Sequence, residues 1–264
     1  MEIDPRDTAR NHRDNRRKLE LAINMVNRSL NEAIKSKDHS QEYVNTRILV
    51  ILWVAWAENL LNVTLYGQYA HIPKDVREKI LSARSETEKW RKLTEYFFRK
   101  HYLNGNDKKA IDIITVGHTA YYRWMSLNDL ITNDIEFFVE IRNRLAHGQW
   151  AIAFNSDSTN KNQTITTRIW TLSKKDLIVL RNVLRNFVMA TSDLVCSKAT
   201  FEKKFDLYMA RINEAKHNID KMYDGVLKHL KEMARKKAKL IASGKYGLQH
   251  PLLSFAETTK ASKT

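Results

Sequence analysis

At 264 residues, 43% of them hydrophobic, the chain is long enough to bury one good core and carry an appendage. Seven glycines and three prolines leave little material for a β-rich fold or for long flexible linkers. A formal net charge of +15 makes polyanions the natural partners, and nucleic acid is favoured over a membrane surface because the basic residues are spread along several helices.

The first predicted element is a long helix over about 5–36. Leu19, Ile23, Val26, Leu30 and Ile34 give its second half a packing face, whereas Arg10, Arg13, Arg16, Arg17 and Lys18 make the first half a basic arm. A second helix near 41–66 carries the most apolar run, Ile48 to Ala57. Ten such residues are too few to span a bilayer, so this reads as the central core helix. Glu58 follows that run directly. Pro73 sits at the first turn of a third helix, which runs to about Tyr102. Asn104–Asp107 is a turn, and 108–130 is ambiguous: Ile111, Ile113 and Ile114 fit strand or helix, while Tyr121, Tyr122, Trp124 and Met125 fit helix.

A helix from about Asn133 to His147 comes next. Behind it the period changes. Trp150, Ile152 and Phe154 alternate, as do Ile165, Thr167 and Ile169, with the polar loop Asn155–Asn162 between them. The pattern predicts a β-hairpin over about 150–171. Ser173 with Asp176 three residues on predicts the start of a helix ending near Leu194. Phe205, Tyr208, Ile212, Ala215, Ile219, Met222 and Val226 then form a heptad seam, which suits either pairing between chains or packing along the bundle. The expected division is therefore 1–198 for the bundle with its hairpin, 199–242 for a long basic helix, and 243–264 for a loose tail. Arg235, Lys236, Lys237 and Lys239 form a polybasic patch suited to RNA phosphates.

The chemistry-bearing stretch is Glu140-Ile-Arg-Asn-Arg-Leu-Ala-His-Gly-Gln-Trp150. Ile135, Phe138, Val139, Leu145 and Ala146 form an apolar stripe that Arg142 interrupts. A guanidinium stays charged, so a buried one needs a partner, and Glu58 is a candidate. Gly148 is a suitable stop residue directly behind His147. Asn143 and His147 lie one turn apart on one face, while Arg142 lies about 140° round from His147, so a second surface must complete any shared site. The same residues also admit a structural reading, with Arg142 paired to a carboxylate and His147 finishing a helix.

Arg142-Asn143-x-x-x-His147 resembles the Arg-polar-x-His motif of the HEPN superfamily. Looser copies at Arg6–His12 and Arg211–His217 lack the neighbouring polar residue or the apolar helix. The resemblance covers this segment and its helical context. Together with the elements above, it gives a mainly α fold: a HEPN-like helical bundle with a β-hairpin after the motif helix and a long C-terminal helix. It also implies a metal-independent endoribonuclease, without cofactor, cutting RNA through attack of the 2′-OH. Arg142, Asn143 and His147 would be catalytic and Glu58 supporting, in a homodimer acting as a toxin or antiviral defence effector with an antitoxin or regulatory protein as a further partner. Some HEPN toxins carry a tyrosine two residues after the histidine; Gln149 stands there in this chain. Other HEPN proteins are non-catalytic, so a basic module binding RNA or a protein is the alternative.

Other chemistries find little support. The chain has no Gly-rich phosphate loop, no His-Glu-x-x-His and no Gly-x-Ser-x-Gly, and its nine histidines show no pair at metal-ligand spacing. Cys196 is the sole cysteine, which excludes an intrachain disulfide and fits a reducing cytoplasm. The first residues are too polar for a signal peptide, and no membrane association is expected.

Overall fold

The computed structural model describes residues 5–67, 71–155 and 157–243. Helix α1 (Pro5–Ser36) has the expected span and buries Ile23, Leu30 and Ala33. Helix α2 (His39–Tyr66) begins where the Asp38 carboxylate accepts the Gln41 N–H at 2.9 Å. The expected third helix is two helices, α3 (Lys74–Leu81) and α4 (Glu86–Tyr102). The break comes from Ser85, whose hydroxyl accepts the Glu88 N–H, while the Glu88 carboxylate accepts the Arg84 N–H. A Ser-x-x-Glu cap here outweighs the continuity of the apolar pattern.

The ambiguous stretch is helical in the main. A single turn, α5 (Ile113–Val116), precedes α6 (His118–Asp129); a π segment (Leu130–Ile135) then leads into α7 (Glu136–Ala146). The helix containing the motif is thus the end of one helical run from 118 to 146, with a π irregularity where it was expected to begin. The remaining helices are α8 (Gln163–Thr171), α9 (Lys174–Cys196), α10 (Lys198–His217) and α11 (Ile219–Ala242).

The expected β-hairpin is not formed. Among the described residues there is no strand there, only an isolated antiparallel bridge between Phe154 and Lys161. The second half of the hairpin is α8. Ile165 and Ile169 lie four apart, a spacing that a helix and a strand bury equally well, so alternation alone could not separate them. Asn162 decides the matter: its side chain accepts the Ile165 N–H at 3.0 Å and starts a helix. Thr167, which a strand would have buried with the two isoleucines, is exposed. On the other arm the alternation is inverted, with Ala153 buried and Ile152 exposed.

Contacts divide the chain into two units, Met1–Lys221 and Met222–Thr264, beyond the expected 198/199 boundary. In the first unit α2 is central and packs against α1, α7 and α9. Its 28 residues are long and apolar enough to cross a membrane, well beyond the ten-residue run read from the sequence. It is nonetheless a core helix: Leu49, Val50, Val54 and Leu61 are buried, and so is Arg47. Arg47 donates to the carbonyls of Tyr43, Leu172 and Trp170 at 3.0–3.1 Å and also to that of Ile169, tying α2 to the end of α8. Phe97, Phe98 and Phe187 complete the core, each side chain contributing about 1.5–3 kcal/mol by burial.

The heptad seam is not one continuous helix. It breaks at Asn218, between α10 and α11. Phe205, Tyr208, Ile212 and Ala215 are buried, and α10 packs on α9 within the chain. The Tyr208 hydroxyl donates to Asp193 at 2.7 Å, and burial together with that carboxylate pushes the phenol up to about 12. The second unit is the rest of α11, whose Arg235, Lys236 and Lys239 are exposed. The Lys237 side chain and the expected tail from residue 244 onward lie outside the described residues.

Candidate active site

The end of α7 is built by backbone geometry. Gly148 adopts φ 77°, a left-handed conformation that costs a glycine little. Its N–H reaches Leu145 O at 3.1 Å and the Gln149 N–H reaches Arg144 O at 2.9 Å, the two bonds of a Schellman closure. His147 is the capping residue, its own N–H bonded to Asn143 O at 3.1 Å.

The segment behind His147 is held at several points. The Trp150 indole donates to Leu145 O at 2.9 Å, and the Tyr43 hydroxyl on α2 donates to Trp150 O at 2.7 Å. The Gln149 side-chain carbonyl accepts the Phe154 N–H at 2.9 Å. Gln149, at the position where some HEPN toxins have tyrosine, therefore clamps the following loop. His147 sits at a fixed helix end.

Arg142 turns inward. It forms an ion pair with Glu58 of α2, the carboxylate that the sequence suggested for it. Both side chains are about four-fifths buried, at 20% and 21% exposed. Burial lowers the Arg142 pKa, but a guanidinium starts so high that it stays charged. Its Nε is buried without a hydrogen-bond partner among the described residues, leaving an unused donor beside the pair.

Asn143 and His147 are both exposed, on a different part of the helix from Arg142. Ala146, which was expected in the apolar stripe, is exposed beside them; Ile141 is buried in its place, with Phe138, Val139 and Leu145. The chain thus brings Arg142 to Glu58 and His147 to the surface, and does not close the three motif residues around one point. The exposed face of α7 offers an amide and an imidazole one turn apart. Just inside it lies a cation that a carboxylate already holds. Arg235, Lys236 and Lys239 stand in the other unit, on α11.

Glu58 has a second environment. With His12, Asn15, Lys18, Asn59 and Asn62 it lines an open cleft of about 540 Å³ between α1 and α2. The sequence marked His12 only as part of a weaker copy of the motif, and Asn59 and Asn62 follow Glu58 just beyond the apolar run of α2. The missed signal is their spacing: 12, 15 and 19 on α1, and 55, 58, 59 and 62 on α2, are positions that face a neighbouring helix. Among the described residues no group of three or more His, Cys, Asp or Glu is placed to hold a metal ion.

No known family's sequence profile matches the chain. Comparison with characterised proteins and with solved structures likewise finds no match.

Proposed function

We propose that this chain is a metal-independent endoribonuclease of the HEPN type, acting on RNA as a homodimer. The observation that carries the reading is the exposed Asn143–His147 pair at a rigidly closed helix end, with Arg142 one residue away. The formal charge of +15 supplies the attraction for a polyanion. His147 takes the proton from a ribose 2′-OH or returns one to the leaving 5′-oxygen, help worth about 10²–10⁴ in rate. Asn143 orients the imidazole or the phosphate. Arg142 stabilises charge that builds on the phosphate in the transition state. Because Arg142 and His147 diverge on their own helix, the reading needs a second copy, whose α7 meets the first across a two-fold axis. Such an enzyme suits a toxin or antiviral effector held in check by an antitoxin or regulatory protein.

The Glu58–Arg142 pair favours one other reading. An arginine already neutralised by a buried carboxylate is what a structural helix tie would use, and α7 would then serve a non-catalytic module binding RNA or protein. Incubation with total RNA in excess EDTA separates the two. The enzyme yields fragments ending in 2′,3′-cyclic phosphate and 5′-OH, and His147→Ala abolishes them at unchanged melting temperature. Intact RNA with the native protein, or 3′-OH ends, would overturn the catalytic reading.

A further inference from the structure

Helix α11 divides into two arcs. With about 100° of rotation per residue, Val226, Leu230, Met233, Leu240 and Ile241 fall within an arc of about 100°, which Ala234 and Ala238 extend. Lys228, Lys231, Arg235, Lys236 and Lys239 occupy the opposite side, with Lys231 and Lys236 at its two edges. The apolar side is only partly covered. Leu230 is buried, but beyond it Met233, Leu240 and Ile241 are 48%, 45% and 55% exposed, and Ala234 and Ala238 are exposed with them. One exposed apolar residue needs no partner, whereas several aligned on one helix face mark a contact surface.

Charge decides what covers that surface. Between Lys228 and Lys239 the sequence has six basic residues and one acidic residue, Glu232. RNA would neutralise the basic arc and leave Met233, Leu240 and Ile241 in water. A second copy of α11 would cover the apolar arc, but residues at the edges of a helix seam face their counterparts across it. Here both edges carry lysine, so two copies would set like charge against like. Position 237 also tells against a dry seam, because by register this lysine falls inside the apolar arc. A cation there costs stability in a packed helix pair. At a lipid surface a lysine stem can follow the apolar boundary while its ammonium reaches the headgroups.

We propose that α11 lies along an anionic phospholipid bilayer, with the arc from Met233 to Ile241 at the boundary of the acyl chains and the lysine edges level with the phosphates. That orientation satisfies both arcs at once. Cations near the surface supply the long-range attraction, and the apolar residues supply the part that salt does not screen. Composition favoured nucleic acid because basic residues are spread along several helices, but composition does not register that those on α11 are opposed by an apolar arc. The proposal goes beyond the nuclease reading and does not rest on it, since Arg142 and His147 belong to the other unit.

The test is sedimentation of the full chain with phosphatidylcholine vesicles that contain or lack phosphatidylserine. The native chain sediments with the phosphatidylserine vesicles and stays in solution with phosphatidylcholine alone. Met233→Ser combined with Ile241→Ser, both at exposed positions where folding is not at stake, weakens vesicle binding by about tenfold or more. The same variant keeps the native affinity for polyuridylate. Lys231→Ala combined with Lys236→Ala weakens vesicle binding by about tenfold at low salt. His147→Ala sediments as the native chain does, whether or not it cuts RNA, so the two readings stand or fall separately. No sedimentation with phosphatidylserine vesicles overturns the proposal. Undiminished vesicle binding by the Met233→Ser, Ile241→Ser variant overturns it as well, because the attraction is then surface charge alone. In that variant, a loss of polyuridylate affinity assigns the arc to RNA, and a fall in mass by light scattering assigns it to pairing between copies; either result overturns the proposal.

Discussion

Breaking the Glu58–Arg142 pair from either side should destabilise the protein far more than an exposed ion pair would. Removing one partner of a fully buried pair costs about 3–5 kcal/mol, because it strands the other charge, whereas exposed pairs are worth about 0–1 kcal/mol. These side chains are about a fifth exposed, and Glu58 borders an open cleft, so water reaches the stranded group. An intermediate cost of about 1.5–3 kcal/mol follows for Arg142→Met or Glu58→Leu. At about 2–4 °C per kcal/mol for a domain of this size, each single variant should melt roughly 3–12 °C lower. The double variant should recover most of the loss, since no charge is left stranded. Thermal and urea unfolding of the four proteins measures the coupling. If the two losses simply add, or if each is under about 1 kcal/mol, the pair does not couple α2 to α7 as described. The same proteins bear on function: a Glu58→Gln variant keeps Arg142 but loosens it, so cleavage should fall while the histidine remains in place.

Gly148→Ala should cost about 1–2 kcal/mol, since nothing lies within 4 Å of an added Cβ and the whole penalty comes from φ 77°; a melting temperature equal to the native value would show that the turn relaxes freely. RNA affinity should fall steeply with salt, at a log–log slope of roughly −0.7 per phosphate neutralised, and deleting residues 235–264 should flatten that slope without abolishing cutting of a short oligonucleotide. An unchanged slope would make the Arg235, Lys236 and Lys239 face mere solvated surface. Lys174 is buried against Asn27, and desolvation lowers its ammonium to about 8 from 10.5. The unfolded chain therefore holds one more proton than the native one between those values. Unfolding free energy should rise with pH across about 8 to 10.5, a rise that Lys174→Met removes. A slope that persists in Lys174→Met would locate the titration elsewhere.

Local chemistry was enough to make this chain mainly helical and to bound several helices. The apolar spacing of Leu19 to Ile34, the Ser173–Asp176 box and Gly148 act within a turn or two of chain, and each appears in the fold as the sequence indicated. The proximity of Glu58 and Arg142 was legible as a need, because a charge in an apolar stripe demands a partner, although which carboxylate met it depended on how α2 lies against α7. The hairpin could not be excluded from spacing, since Ile165 and Ile169 satisfy both periods; burial of Ala153 and capping by Asn162 selected the helix. The seam from Phe205 to Val226 gave no hint of its break at Asn218 or of α9 as the partner of its first half. The α1–α2 cleft was the least visible feature. His12 and Asn59 stand 47 residues apart, and only the antiparallel return of α2 along α1 sets their polar side chains opposite one another. Helical period is written within one segment, whereas a site made by two segments depends on register between them, which packing of the whole core fixes.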